Sequence, residues 1–336
     1  MILNINYGIL RYDVPSSLKS ATRVTRQGCR VPIHYKITDS TRISKLPMKK
    51  LLSHSNTKME LAQYLAAKSL EKGEQLGKRV VVTWGTKCKA THKDMDYLES
   101  NHEEADTKLL LHAADATSSG ATTIDIVSPD TDVFVLAVRR SPELCQSTYF
   151  VTGRGQRHRK ILLRSIAAAI GPARTAALPG FHAWSGADIT GSFAGKGKQK
   201  CWKAFLEAED DCVTALSDLG TTEQPAPSTI AAIEKLVCQL YQPKTRISKV
   251  KDLRWFMFCK KQAQSERLPP TEAALQECIM RAHYQMIVWN SDLVPNPELP
   301  SPENYGWAME KGNSASIFIQ CDINIAIFVV KKGSFL

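Results

Sequence analysis

The sequence lacks closely spaced cysteine pairs, which mark zinc ribbons, and its nine cysteines are scattered and odd in number. A disulfide framework is therefore not expected, and free thiols in a reducing compartment are the simplest interpretation. No run reaches the ~20 apolar residues of a membrane-spanning helix, and the first residues carry no basic segment of a signal peptide. We expect an intracellular protein without a membrane span, with the nucleus as a suitable location.

Aromatic residues are also scarce, at 7% of the 336 residues. The six tryptophans have rings that could stack on bases, but most of them are expected to pack in the interior. The apolar fraction of 43% is ordinary for globular proteins, so a packed core is expected over most of the chain.

Positive charge is in excess. The net charge is +11, and residues 1–60 hold eleven lysines and arginines against three acids, which is +8 of that total. Such a balance favours a polyanionic partner, nucleic acid before anionic membrane, although a lysine-rich solvated surface would give the same numbers. Within this segment Lys19, Arg23 and Arg26 lie near one face of a short predicted polar helix and are candidate phosphate contacts.

Strands alternate with a helix over residues 79–152, a pattern typical of α/β proteins with a parallel sheet. Apolar helical patterns then continue to about residue 290, where a proline-rich spacer follows. We predict four regions. They are a basic irregular segment (1–60), an α/β domain (61–220), a helical extension (221–290), and a spacer and tail expected to be poorly ordered (291–336).

Two aspartates, Asp130 and Asp132, follow a β-branched run at residues 122–127 and precede an apolar stretch. This pattern predicts a buried strand that delivers two carboxylates at its carboxyl end, where open α/β sheets bind ligands. Capping of the next helix is the alternative role for the same residues. A second pair, Asp94 and Asp96, has no strand before it and is predicted to be solvated surface.

Further acids come from neighbouring predicted elements. Glu103-Glu104-Ala-Asp106 opens the preceding helix, and Asp188 lies in a glycine-rich turn. The helix dipole and ordinary turn chemistry explain each of them separately. A parallel sheet would bring them to one edge, however, and such a cluster stays ionised only with cations. Mg²⁺ or Mn²⁺, two ions if the site is complete, suits these oxygen ligands.

A glycine- and lysine-rich segment follows these acids. Its two glycines would let the backbone approach a phosphate closely, and the surrounding lysines would attract it. A flexible surface loop is the alternative. The candidate contacts are Gly195, Lys196, Gly197, Lys198, Lys200 and Lys203.

Three segments together carry a family resemblance. They are Glu-Ala-Asp-Thr (104–107), Ser-Pro-Asp-Thr-Asp-Val (128–133) and Gly-Ala-Asp-Ile-Thr-Gly-Ser-Phe-Ala-Gly-Lys-Gly-Lys (186–198). In this order they resemble the PIN-like nuclease superfamily, in particular its flap-endonuclease branch and, within it, uncharacterised animal proteins that look transposon-associated. The resemblance covers residues 12–290, and its motifs are specific as an ordered set although each is weak alone.

The resemblance implies a PIN-like parallel sheet flanked by helices, with a helix–hairpin–helix-like segment in the helical C-terminal part. It also implies a metal-dependent, structure-specific nuclease that contacts the DNA backbone without reading sequence. Its implied metal ligands are Glu104, Asp106, Asp130, Asp132 and Asp188, of which Asp130, Asp132 and Asp188 are the catalytic set. On a regular helix Glu103, rather than Glu104, would share a face with Asp106, so Glu103 is the alternate ligand.

The sequence departs from the family at both ends. The family's first strand with its aspartate has no counterpart, and Leu10 stands where a second acid is expected, which leaves Asp13 as the local alternate ligand. We therefore expect an N-terminally truncated PIN-like core, and residues 317–330 are expected to be foreign to the fold. Loss of ligands would weaken metal binding and could leave a nucleic-acid-binding protein without catalysis.

Three functions remain open from the sequence. The first is a Mg²⁺- or Mn²⁺-dependent nuclease acting on nucleic acid, with DNA favoured. The second is an inactive nucleic-acid-binding relative. In the third, Asp130-Thr-Asp132 is the nucleophile motif of a haloacid-dehalogenase-like phosphatase, although the helix and strand before it argue against this. Oligomeric state is not indicated.

Overall fold

The computed structural model describes residues 5–8, 17–19, 32–42, 47–187, 189–260, 267–311 and 316–320. The chain divides into two compact units. The first comprises Met1–Leu163, Ser291–Glu298 and Lys311–Ile317, and the second comprises Arg164–Asn290, Leu299–Glu310 and Phe318–Leu336.

The first unit is α/β, with small mixed sheets flanked by helices, which confirms the predicted class at that level. Its strands are β1 (Ile5–Gly8), β2 (Val80–Trp84), β3 (Lys87–Ala90), β4 (Thr123–Val127), β5 (Ser147–Thr152) and β6 (Arg159–Leu162). Its helices are α1 (Met48–Leu51), α2 (Ser55–Gln75), α3 (Ala105–Ser118) and α4 (Thr131–Arg140).

The described strands of this unit form two three-stranded sheets, β1-β2-β3 and β4-β5-β6, rather than the single parallel sheet that was predicted. In each sheet one pair is parallel (β1 with β2, β4 with β5) and the last strand is antiparallel. The physical reason is that each sheet ends in a hairpin. The turn between β2 and β3 contains Gly85 at φ +55°, a conformation that favours glycine.

The last strand of each sheet was missed by the sequence analysis. Lys87-Cys88-Lys89-Ala90 alternates between exposed and buried side chains and could have been recognised as β3. Residues 159–162 form β6, and its first two residues, Arg159 and Lys160, are charged. Charged residues are tolerated at such an edge, where they also discourage pairing with other chains.

The helix α3 positions the acidic residues, because it packs against β1, β4 and α4. Its apolar stripe buries Leu110, Leu111, Ala113 and Ala116. The strand β4 is less buried than predicted. Only Ile126 of its five residues is buried, and Val127 is 69% exposed. Among the described strands β4 pairs with β5 alone, so its other edge has no described partner to cover it.

The second unit is helical over residues 164–290. It contains α5 (Leu163–Ile170, whose first residue belongs to the first unit), α6 (Pro172–Trp184), α7 (Lys198–Leu206), α8 (Asp210–Ser217), α9 (Pro227–Tyr241), α10 (Val250–Cys259) and α11 (Glu272–Asn290). Two separate helices, α7 and α8, occupy residues 198–217; Glu209 is at the N-cap position of α8, and two aspartates follow in its first turn.

The core of this unit is formed by α6, α8, α9 and α11. Helices α6 and α8 cross closely at Gly180, where an added Cβ would lie 1.9 Å from the Leu216 carbonyl oxygen. Trp184 and Trp289 are fully buried here, which confirms the packing role predicted for most tryptophans. A Gly180 substitution would force the helix backbones apart.

Residues 291–311 are part of the fold, contrary to the expectation that it ends near residue 290. The His102 Nε2 lies 2.7 Å from the Val294 carbonyl oxygen, and the Asn101 backbone and side chain donate to the carbonyls of Pro295 and Pro297. Proline lacks an N–H but keeps an acceptor, so a proline-rich segment can still be held. The strands β7 (Trp307–Lys311) and β8 (Ser316–Gln320) follow and pair with each other, and residues 321–336 lie outside the described residues.

Asp292 fixes this returning segment within the first unit. It is fully buried, and its carboxylate pairs with Arg140 at 2.6 Å and with Arg139 at 3.1 Å. A buried carboxylate needs such partners to remain charged.

The described cysteines carry free thiols, as predicted. Those at 88, 201, 212, 238 and 278 are buried, Cys145 is half-buried and Cys259 is exposed. Cys29 and Cys321 lie outside the described residues. Across the described ranges, every helix is too short or too polar to cross a bilayer.

Candidate functional site: an acidic cluster in the first unit

The start of α3 places Glu104 and Asp106 side by side in the interior. Glu104 is the N-cap residue, with an extended backbone (φ −90°, ψ 137°), and Asp106 lies in the first turn. Both side chains are buried. Because Glu104 precedes the first helical residue, the helical spacing that favoured Glu103 does not apply to it. Glu103 is half-buried and accepts a hydrogen bond from the Ser17 hydroxyl.

Asp130 and Asp132 occupy the start of α4. The Asp130 carboxylate accepts a hydrogen bond from the Asp132 backbone N–H at 3.0 Å, so Asp130 is a side-chain N-cap. Its own N–H donates to the Ser128 hydroxyl at 3.0 Å. The capping alternative is therefore present in the molecule. Capping uses one carboxylate oxygen and one backbone N–H, and it leaves further lone pairs on both side chains.

The four carboxylates interact electrostatically. Burial raises the pKa of the Asp106 carboxyl to about 8, and the charges of Glu104, Asp130 and Asp132 act in the same direction. Burial also raises the pKa of Glu104, and the charges of Asp132 and Glu103 add to that effect. Two sequence segments that are apart in the chain, residues 104–106 and 130–132, therefore interact here.

One cation, Lys19, lies inside this acidic cluster (Glu104, Asp106, Asp130 and Asp132). Its ammonium is 3.0 Å from a Glu104 carboxylate oxygen, and its charge lowers the pKa values of Glu104 and Asp106 against the effect of burial. The Lys19 backbone N–H donates to Ser17. Lys19 was predicted to contact phosphate, but here it neutralises a carboxylate.

The donor set of the acidic cluster suits a hard divalent cation, because it consists of carboxylate oxygens. Among the described residues, no group of three or more His, Cys, Asp and Glu is placed so that it could hold a metal ion as it stands. The residues that could hold one after a local rearrangement are Glu104, Asp106, Asp130 and Asp132. The raised pKa values of Glu104 and Asp106 supply the chemical reason, because a divalent cation would stabilise the charged form of these two acids.

Several predicted site residues lie outside the described residues. They are Asp13, Arg23, Arg26 and Asp188. Next to position 188 in the chain, the Ala187 N–H donates to the Thr190 hydroxyl at 2.7 Å, and that hydroxyl donates to the Ala183 carbonyl.

The lysines of the glycine-rich segment are used in two ways. Lys198 is bound to the His182 carbonyl and ring and to the Ser185 hydroxyl, all within 3.0 Å, so it closes the C-terminal end of α6. Lys196 lies over the Tyr241 ring, 4.8 Å from its centroid. Lys200 and Lys203 remain exposed, although Lys203 is 3.9 Å from Glu207 and Lys200 approaches the Gly195 carbonyl.

The glycines of this segment have separate roles. Gly195 has φ +69°, a left-handed conformation, and Gly197 is the N-cap of α7. The backbone of this segment therefore leads directly into the N-terminus of α7, and helix N-termini attract anions.

Sequence reasoning missed Ser17 and Ser128, the hydroxyl partners of Glu103 and Asp130. For Ser128 a signal existed, since a serine two residues before an aspartate often accepts its backbone N–H. For Ser17 no local signal existed, because 86 residues separate it from Glu103.

A scan against protein-family models, a search of curated proteins and a search of solved structures each found no match to this chain.

Proposed function

We propose that this chain is a metal-dependent nuclease of the PIN-like, flap-endonuclease type, with the acidic cluster as its metal site. The observation that carries the proposal is the meeting of buried Glu104 and Asp106 with Asp130 and Asp132, whose charges add to the raised pKa values of the two buried acids. A fold stabilised only by packing gains nothing from such repulsion, so the cluster is typical of a functional site.

In this proposal Glu104, Asp106, Asp130 and Asp132 would hold a divalent cation. When bound, Mg²⁺ or Mn²⁺ supplies Lewis acidity for attack of water on the phosphodiester and neutralises the leaving oxygen. If Glu104 were bound to the cation, Lys19 would be available for a phosphate oxygen. Asp188 completes the set by family resemblance.

The glycine-rich segment supports a contact with the sugar-phosphate backbone of a duplex. Lys200 and Lys203 keep exposed side chains beside the N-terminus of α7. Together they offer positive charge without base recognition, which fits structure-specific rather than sequence-specific binding. The PIN-like sheet and the helix–hairpin–helix-like segment belong to this proposal.

A second candidate, a non-catalytic nucleic-acid-binding relative, is favoured by the ion pair between Lys19 and Glu104. An ammonium that already compensates a buried carboxylate can make the metal-free arrangement the stable one. The two candidates differ in whether divalent cations displace Lys19.

The deciding experiment is cleavage of a labelled duplex that carries a single-stranded flap, in Mg²⁺, in Mn²⁺ and in excess chelator. The variant is Asp130→Asn/Asp132→Asn, and the matched control is Asp94→Asn/Asp96→Asn. The control pair is exposed and has the same local hydrogen bond, from the Asp96 N–H to the Asp94 carboxylate at 3.2 Å.

Cleavage that requires a divalent cation, that is lost in the first variant and kept in the control supports the nuclease. Salt-sensitive binding without cleavage in either metal supports the second candidate. A burst of phosphate from a small phosphomonoester would instead support the phosphatase interpretation. Cleavage retained in Asp130→Asn/Asp132→Asn would contradict the proposed site.

A further inference from the structure

The helix α10 displays two large aromatic rings to solvent. Trp255 is 68% exposed and Phe258 is 59% exposed. Their ring centroids are 6.1 Å apart with an interplanar angle of 27°. All six tryptophans lie in described ranges, and Trp255 is the exposed one among them. Leaving an aromatic pair exposed to water costs free energy in a protein without a bound partner. The pair therefore indicates a binding surface.

The aromatic pair borders a groove of about 310 Å³ in the second unit. Its apolar lining comes from Trp255, Phe258 and Leu268, and its charged lining comes from Lys251, Arg254 and Glu272. A groove of this size takes up a flat ring of the size of a nucleobase. Positive groups outnumber negative ones at its edge by two to one.

The chain that leads into and through α10 is strongly basic. Residues 244–260 contain six lysines and arginines and a single acid, Asp252. Two of these cations have internal partners, since Lys249 pairs with Glu234 and Arg254 donates to the Pro269 carbonyl. The exposed remainder consists of Lys244, Arg246, Lys251 and Lys260. This charge is complementary to a polyanion.

Lys244 adds an independent sign of function. Its φ is +62°, and it is the described non-glycine residue with a left-handed backbone. It follows Pro243 in a turn closed by the Thr245 N–H on the Gln242 carbonyl at 3.2 Å. Glycine is favoured at this position of such a turn. A lysine there strains the backbone, and strain of this kind concentrates at ligand-binding sites.

We propose that this aromatic surface, formed by α10 with residues 244–249, binds single-stranded nucleic acid. Unpaired bases stack on Trp255 and Phe258, and Lys251 with the exposed cations of residues 244–249 binds the phosphates. A duplex does not fit, because its base faces are already covered by neighbouring pairs. An apolar protein partner would not require the excess of cations.

The surface uses none of the acids of the acidic cluster, and the inference stands without the proposed nuclease activity. The test is therefore made in chelator, where cleavage does not occur. It is fluorescence anisotropy of labelled single-stranded oligothymidylate and oligouridylate of about ten nucleotides, compared with a duplex of equal length. Measurements at about 50 mM and about 200 mM salt report the phosphate contacts.

The expected result is preferential binding of the single strands and quenching of the Trp255 fluorescence. Trp255→Leu keeps the apolar bulk but removes the ring face, and should weaken binding about tenfold. Trp255→Tyr restores most of the affinity because the ring returns. Phe258→Leu should act in the same direction as Trp255→Leu.

Lys244→Gly separates binding from stability. It should weaken binding severalfold and reduce its salt dependence, whereas the melting temperature should stay or rise because strain is relieved. The matched control is Lys72→Ala, which removes an exposed lysine from α2 and should leave binding unchanged.

Equal affinity for duplex and single strand, or unchanged affinity in Trp255→Leu, would overturn the proposal. It would also be overturned if the Trp255→Leu change instead abolished binding to vesicles of anionic lipid, or self-association in sedimentation, while oligonucleotide binding stayed the same.

Discussion

The two Asp-x-Asp motifs of this chain have the same local structure and different surroundings. In both, the second backbone N–H donates to the first carboxylate, at 3.2 Å for Asp94 and Asp96 and at 3.0 Å for Asp130 and Asp132. The first pair is exposed on the surface. The second pair adds its charge to two buried acids of α3.

The difference shows that the Asp-x-Asp spacing determines the local hydrogen bond. The tertiary structure determines which other charged groups each carboxylate interacts with. A helix-opening aspartate is an ordinary structural device. It becomes a candidate ligand when other carboxylates arrive from distant parts of the chain. The surroundings of a carboxylate therefore decide its role, and four predictions test that rule.

The largest expected effect is at Asp292. Replacing it by alanine leaves the Arg139 and Arg140 guanidinium groups without their buried carboxylate, and should lower the free energy of unfolding by about 3–5 kcal/mol. Urea denaturation followed by circular dichroism measures this. The control is Asp125→Ala, which breaks a half-exposed pair with Lys160 of similar length, 2.8 Å. That change should lower the free energy of unfolding by less than about 1 kcal/mol. Equal decreases at Asp125 and Asp292 would contradict the rule that the surroundings of a carboxylate decide its role.

Asp130→Ser comes next and separates capping from ligand chemistry. Serine is as good an N-cap as aspartate, so stability should change by less than about 0.5 kcal/mol. Metal-dependent cleavage should fall about 100-fold, which corresponds to ~2.7 kcal/mol. The measurement pairs a cleavage time course with thermal unfolding. Undiminished cleavage would show that Asp130 acts only as the N-cap of α4.

The third prediction concerns pH. The pKa of Asp106 is raised to about 8 in the folded chain, against about 3.9 when unfolded. The folded state therefore binds the extra proton between these values, and stability falls as pH rises through this window and levels off above the folded pKa. Without divalent cations, the free energy of unfolding should drop by about 1 kcal/mol from pH 7 to 8.

This interval avoids the buried histidines. The pKa of His112 is lowered to about 4 by burial and that of His102 is also lowered, so their contributions change below about pH 6.5. Asp106→Asn should remove most of the decline between pH 7 and 8, and saturating Mn²⁺ should reduce it. A smaller decline remains from the buried cysteines, because burial raises the pKa of their thiols. A decline of undiminished size in Asp106→Asn would assign it to another group.

The smallest expected effect is at the exposed pair, Asp94 and Asp96. Asp94→Ser should alter neither cleavage nor metal binding and should change stability by less than about 0.5 kcal/mol. Its assay is the same as that for Asp130→Ser, so the two motifs are compared under identical conditions. A loss of cleavage as large as that of Asp130→Ser would remove the distinction between them.

The sequence predicted the local elements well and the sheet arrangement poorly. The strand at 147–152 and the helices at 172–184 and 272–290 follow from periodicity and capping within one or two residues. The hairpin strands β3 and β6 were missed because lysine and arginine lower the apparent strand signal. Sheet order depends on contacts between distant segments, which single-sequence patterns do not contain.

The acidic cluster was predictable as a set of types and positions, but not in its charge balance. Asp106, Asp130 and Asp132 were expected from their places in the elements, whereas Glu104 was chosen over Glu103 on the family resemblance. That Lys19 pairs with Glu104 could not be foreseen, since 85 positions separate them and an exposed cation was equally consistent with the pattern. The roles of Asp13, Arg23, Arg26 and Asp188 remain predictions.

The returning segment 291–298 has a consequence for how the protein is made. The first unit needs Asp292 and the carbonyls of Val294, Pro295 and Pro297, yet the ribosome synthesises them after the whole of residues 164–290. The helical unit can therefore begin to fold during translation before the acidic unit is complete. In a nascent chain stalled at residue 290, Arg139 and Arg140 would still lack the Asp292 carboxylate with which they pair in the complete fold.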